Sequence, residues 1–185
     1  MLKGNLFNGN KLFKGSKAAW LFFSVICLVV VSDQITKAII LSSIAEGDNL
    51  PLIPGFFNLT LTFNKGAAFG LLADLPDGSR QVILAITTVV ALFVVVYFLV
   101  NDYKHDRFAQ AALALIVGGA VGNIIDRCRL GVVVDFLDVY YSTYHWPAFN
   151  VADSCICVGV SILFFRKPTR RSPALKSSVT KREDL

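Results

Sequence analysis

Charge is scarce in this chain: Asp, Glu, Lys and Arg make up only 17% of its 185 residues, against 55% hydrophobic side chains and a mean hydropathy of +0.60. So apolar a composition excludes a disordered segment, and a globule of this length has too little interior to hide that surface, which excludes an ordinary water-soluble domain. Histidines number two and cysteines four. Cys155 and Cys157 stand two apart on a predicted helix and point to different faces, while Cys27 and Cys128 lack any ligand-like spacing around them. His105 and His145 are predicted on opposite sides of a membrane, so neither a disulfide scaffold nor a zinc site is expected, and no metal or cofactor is assigned. Internal repeats are missing too, which argues against a transporter built from inverted halves.

What is there is a set of apolar stretches at about 18–41, 82–100, 108–125 and 148–165, each about 18 to 24 residues and so near the length that crosses a ~30 Å hydrocarbon layer. The expected fold is an all-α polytopic membrane protein: four transmembrane helices with a small extracytoplasmic β-sheet. Residues 1–17, 101–107 and 166–185 carry 13 Lys and Arg against four acids. The remainder carries five against nine, and the two portions together give the net +5. Because Lys and Arg stay on the cytoplasmic side, both termini and the middle connection are expected inside. The organisation expected is a basic segment 1–17, a membrane domain 18–165 with outer loops 42–81 and 126–147, and a basic tail 166–185. Topology and anionic lipid account for the basic excess, and no nucleic-acid partner is expected. Asp33 and Lys37 interrupt the first span, which is expected to be retained rather than removed as a signal peptide.

The outer loops carry strand signals. Residues 57–63, Phe-Asn-Leu-Thr-Leu-Thr-Phe, alternate with the period of a half-buried strand, and 132–139 offers a second. A small sheet resting on the outer membrane face follows.

Ionisable groups then gather where the spans end: Asp33, Lys37, Asp126, Arg127, Asp135 and Asp153. A charge in hydrocarbon costs about 2.5 kcal/mol or more, so each needs a partner or a task. Asp33 and Lys37, four apart, make a helix-surface ion pair with a snorkelling lysine. Gly118, Gly119 and Gly122, with Ala114, form a close-packing face for another helix. Asn123, Asp126 and Arg127 continue that helix, and an Asp126–Arg127 network serves either architecture or a substrate. Asp135 has apolar neighbours on its own strand face, which raises its pKa, whereas Asp138 points to the other face and is expected to be solvated. Asn150 and Asp153 read equally as a helix cap of the capping-box kind and as catalytic equipment. Two carboxyls that bracket one outer loop can meet and share a proton, which is the chemistry of amide hydrolysis without metal or covalent intermediate.

Read together, these segments resemble bacterial lipoprotein signal peptidase, the signal peptidase II family. The resemblance is carried by Asp33-Gln34-Ile35-Thr36-Lys37, by Asn64-Lys65-Gly66-Ala67-Ala68-Phe69-Gly70 and by the run from Gly118 to Arg127. It continues through Gly131-Val132-Val133-Val134-Asp135-Phe136 and Phe149-Asn150-Val151-Ala152-Asp153-Ser154, five motifs in order over about 18–165. It implies a membrane aspartic endopeptidase with Asp135 and Asp153 as the catalytic pair. Asp33, Lys37, Asn64, Gly66, Asn123, Asp126, Arg127 and Asn150 would be substrate-binding or supporting positions. The implied substrate is a prolipoprotein whose cysteine bears diacylglycerol, cleaved just before that cysteine in the bacterial cytoplasmic (inner) membrane. Globomycin, a cyclic peptide antibiotic, is the implied inhibitor, membrane lipid the medium, and a monomer the expected state. The competing classes are a small transporter with a polar pathway and a purely structural membrane protein, which leaves the charged cluster without a task.

Overall fold

The computed structural model describes residues 16–66, 76–101, 103 and 106–166. The element order is α1 (Ser16–Ser43), β1 (Asn49–Ile53), β2 (Phe57–Asn64), α2 (Asp77–Asn101), α3 (Arg107–Leu130), β3 (Val133–Tyr141), β4 (Tyr144–His145) and α4 (Val151–Phe165). Within α1, α2 and α3 the segments Ala19–Ser43, Gly78–Phe98 and Arg107–Leu130 are long and apolar enough to cross a membrane. The fourth, α4, is a shorter apolar helix of 15 residues, about 22 Å long. Its expected start at 148 moves inward because Asn150 caps the helix. Of the expected basic segments 1–17 and 166–185, residues 1–15 and 167–185 lie outside the described residues, as do His105 and the 67–70 part of the glycine–alanine motif.

The strands form one antiparallel sheet in the order β1-β2-β3-β4. β2 is the strand that the alternation at 57–63 predicts, and β3 covers the second strand expected at 132–139. The two edge strands carried no such signal: β1 contains Pro51 and is exposed throughout, and β4 is two residues long. Proline is tolerated there because an edge strand need not donate on both sides.

α3 is the central helix. Its start is capped by Asp106, whose carboxylate accepts from the Phe108 and Ala109 N–H groups, and it ends at Gly131, whose left-handed backbone (φ 76°) returns an N–H to the Arg127 carbonyl. The helix therefore runs through Asp126 and Arg127 to Leu130, and the outer connection begins after it. At the end of the bundle away from the sheet Arg166 pairs with Asp106 at 2.9 Å, tying the end of α4 to the start of α3.

The small-residue stripe packs as expected, but against two helices. A Cβ on Gly118 would meet Val29 of α1, whereas one on Gly119 would stand 2.4 Å from the Ala152 carbonyl oxygen and 2.7 Å from Ile156 Cγ1 of α4. One apolar cluster, around Phe22, Val95, Tyr103 and Leu113, fills the part of the bundle away from the sheet. Another, of Ile40, Leu61, Val134 and Phe136, seats the sheet on the C-terminal end of α1.

Backbone cannot yield as a flexible side chain does, so Gly119→Ala is expected to cost about 1–3 kcal/mol by forcing α3 from α4. Gly78→Ala, with nothing within 4 Å of the added carbon, is the control. Thermal unfolding in detergent compares them, and equal melting temperatures would contradict the packing account.

Candidate functional site

The site grows outward from one buried cation. Asp33 and Lys37 lie one turn apart on α1 and are 0% and 2% exposed, so the expected surface pair with a snorkelling lysine is corrected: both groups face inward. The reason is a second carboxylate. Lys37 Nζ lies 2.8 Å from Asp33 Oδ2 and 2.7 Å from Asp126 Oδ2, and donates to Asn123 Oδ1 at 3.2 Å. Its charge is therefore satisfied inside the protein, without reaching for the interface. Asp126 accordingly turns to Lys37 and away from the expected partnership with Arg127. Gln34, which sequence reasoning quoted but did not assign, joins the cluster by donating to Asp126 Oδ1 at 2.9 Å and to the Gly122 carbonyl at 3.3 Å. Its place beside Asp33 and one turn before Lys37 was the available signal. Gly122 makes the cluster possible, since a Cβ there would lie 2.6 Å from Asp33 Oδ2.

From this cluster two arms reach two carboxyls. Along the first, Asp126 Oδ2 accepts the Val134 N–H at 3.1 Å, and Asn150 Nδ2 donates to the Val134 carbonyl at 3.2 Å. Val134, the residue before Asp135, is thus held by side chains at both its N–H and its carbonyl. Asp135 itself is 2% exposed, with Oδ2 accepting from Asn64 Nδ2 at 3.0 Å and Oδ1 from Asn150 Nδ2 at 2.7 Å. Burial pushes its carboxyl up to about 7 and the negative charge of Asp153 adds to the rise, while the Asn64 and Asn150 donors and the Lys37 cation oppose it. The apolar flank read from the sequence anticipated that direction.

Along the second arm, Asn123 Nδ2 donates to Asp153 Oδ1 at 2.8 Å. The capping box is present as well: the Asn150 side chain accepts the Asp153 N–H at 2.9 Å, and Asp153 Oδ2 accepts the Asn150 N–H at 3.3 Å. Asn150 therefore touches both carboxyls, Asp135 through its side chain and Asp153 through its backbone. Arg127 lies within electrostatic reach of Asp153, Asp135 and Asp126. Asn64 Oδ1 also accepts the Gly66 N–H at 2.7 Å, where a positive φ of 96° and Leu84 of α2 leave no room for a side chain.

All ten positions singled out from sequence are thus joined by hydrogen bonds or ion pairs in one network or its immediate margin, Arg127 by donating to the Asn123 carbonyl at 3.4 Å. Asp138 departs from expectation. It is buried rather than solvated, because Asn58 Nδ2 and His145 Nδ1 both reach it at about 3 Å.

Apolar helices, an antiparallel sheet across one end of them and a buried polar network between the two define a class, a membrane-embedded enzyme. The chain belongs to the signal peptidase II family of proteases: the family model described as "Signal peptidase (SPase) II" matches residues 25–167. A protein named lipoprotein signal peptidase in Syntrophotalea carbinolica is 50% identical over 137 residues, covering 74% of this chain and 83% of that one. One of the same name in Geobacter sulfurreducens is 46% identical over 156 residues, covering 83% and 96%. A solved structure described as a bacterial membrane enzyme is 38% identical with a TM-score of 0.68, covering 77% of this chain and 89% of that one.

Lys37→Met would strand two buried carboxylates and is expected to cost about 3–5 kcal/mol of stability. Lys65→Met, at an exposed position, should change stability by less than about 0.5 kcal/mol. Thermal melts in detergent measure both. Adding Asp33→Asn and Asp126→Asn to Lys37→Met should recover most of the loss, and no recovery would refute the charge-balance account.

Proposed function

We propose that this protein is an aspartic endopeptidase that removes the signal peptide from diacylglyceryl-modified prolipoproteins, cutting just before the lipidated cysteine. The observation that carries the reading is Asn150, one residue bonded to both Asp135 and Asp153. The geometry supports a division of labour within a pair that shares one proton. Asp135, raised by burial to about 7, is the member that holds it and donates a hydrogen bond to the scissile carbonyl. Asp153 accepts a proton from water as the water oxygen adds to the carbonyl carbon. As the Asp135 proton passes to the carbonyl oxygen the intermediate becomes a neutral gem-diol; on collapse Asp153 delivers its proton to the amide nitrogen and one diol hydroxyl returns a proton to Asp135. The C–N bond breaks, and the new amine is the N-terminus of the cysteine. Arg127, Asn64 and Asn123 are read as holding an extended peptide, the task that the resemblance implies for them.

Placement in the membrane belongs to the same proposal. In this reading the chain spans the bacterial inner membrane four times, as a monomer with both termini cytoplasmic. The domain is 18–165, between basic segments 1–17 and 166–185, with outer connections 42–81 and 126–147. Asn123 stands 16 residues above Arg107 on α3, about 24 Å along the axis, so a ~30 Å hydrocarbon layer starting at Arg107 would end a few ångströms above the pair. A substrate anchored by acyl chains in the outer leaflet would present its scissile bond at that depth, and lipid anchoring reduces the search to two dimensions. Globomycin-type cyclic peptides are expected to block the same site.

The test is cleavage of a diacylglyceryl-modified precursor beside an unlipidated control, with products identified by mass spectrometry. Only the lipidated precursor should be cut. Asp135→Asn and Asp153→Asn should each abolish turnover while the protein still inserts, because an amide keeps the shape but cannot exchange the proton. The alkaline limb of kcat/KM should fall near pH 7, since activity is lost as Asp135 gives up its proton. Wild-type-like turnover by either amide variant would defeat the mechanism.

A further inference from the structure

Asp138 has no part in the chemistry just described, yet it is a buried carboxyl three residues along β3 from Asp135. It gathers three strands. Asn58 of β2 donates Nδ2 to Asp138 Oδ2 at 3.0 Å, and His145 of β4 places Nδ1 2.9 and 3.0 Å from the two carboxyl oxygens. With a carboxylate opposite, Nδ1 carries the hydrogen. The His145 ring is stacked on Tyr140 of β3, with centroids 5.0 Å apart and planes within 8°.

Between this tie and Asp135 the strand register shifts. Leu59 stands opposite Leu137, but Thr62 stands opposite Asp135, so three steps on β2 match two on β3. One extra residue bulges from β2, and beyond it Asn64 stands opposite Val133 and delivers its amide to Asp135. Without the extra residue Leu61 would face Asp135 and Asn64 would slip to Val132, reversing which face each side chain takes.

We propose that Asp138 is a positioning residue for the reaction: by tying β2 and β4 to β3, it holds the bulged register that keeps Asn64 on Asp135. This rests on the reading of Asp135 as catalytic. The groups facing Asp135 from the other elements are Asn150 and Asp153 of α4 with its cap, Lys37 of α1 and Arg127 of α3. Loosening the tie leaves all of these in place and removes the Asn64 donor, which holds the Asp135 carboxyl down. Its pKa then rises, and the pH at which activity is lost rises with it.

The experiment uses the full chain in detergent with the lipidated precursor and compares Asp138→Asn, His145→Gln, Asn64→Ala and the exchanged pair Asn58→Asp with Asp138→Asn. Asp138→Asn should lower kcat by about tenfold to a hundredfold with KM little changed. Its alkaline limb should move to higher pH, as in Asn64→Ala, and amide hydrogen exchange in β2 should quicken. The exchanged pair should restore both, since it reverses donor and acceptor in place. His145→Gln, at a half-exposed ring, should shift the limb the same way by less, and it decides the matter should Asp138→Asn fail to fold. Unshifted limbs in the folded variants, or an exchanged pair that folds without recovering, would overturn the positioning role. Active Asp135→Asn would instead overturn the catalytic reading, whereas inert Asp135→Asn beside an unshifted Asp138→Asn defeats only the role of the tie.

Discussion

An ammonium group shut away from water must find an acceptor for every hydrogen, and Lys37 sets the terms for the structure around it. Its three acceptors are Asp33, Asp126 and Asn123. One cation against two carboxylates is unbalanced, and the surplus negative charge is met by neutral donors: Gln34, the Val134 N–H and the Ala152 N–H. Those donors come from α1, from β3 and from the first turn of α4. A single buried charge thereby brings four elements into register. Among the described residues no buried side-chain nitrogen or oxygen is left without a partner, as a low-dielectric interior requires.

The sequence made the membrane-spanning helices legible because apolar runs are long and water-avoidance leaves few alternatives, and the alternation of β2 was equally plain, whereas β3 offered only an apolar run fit for a strand. The Asn150–Asp153 spacing announced a capping box that is present. What composition and period could not convey is direction across space. Asp33 and Lys37 at four-residue spacing fit an exposed ladder as well as a buried pair, and only the arrival of Asp126 from α3, whose approach Gly122 permits, decides between them. Asp138 was misjudged for a related reason: alternation assigns it to the face opposite Asp135, but whether that face meets water depended on His145, in a strand too short to have a period. The bulge in β2 is invisible to alternation altogether, because it is a fault in pairing rather than in pattern.

Where α4 begins explains why so many polar groups converge. A helix start leaves N–H groups without intrahelical partners, and at a buried start such as this one there is no water to take them. Here the Ala152 N–H goes to Asp33 Oδ1 at 2.9 Å and the Asp153 N–H to Asn150 Oδ1 at 2.9 Å, while Asp153 returns a bond to the Asn150 N–H. The carboxyls and amides that close the end of the helix are among the same ones that assemble around Asp135 and Asp153. A short helix that starts below the sheet creates a polar need in an apolar place, and the residues that meet it leave two carboxyls bonded to one asparagine. Folding and the proposed chemistry therefore draw on one set of hydrogen bonds. Substitutions in that set must be read for both: an amide at Asp153 can keep an acceptor for the cap while removing the exchangeable proton, whereas an alanine removes both.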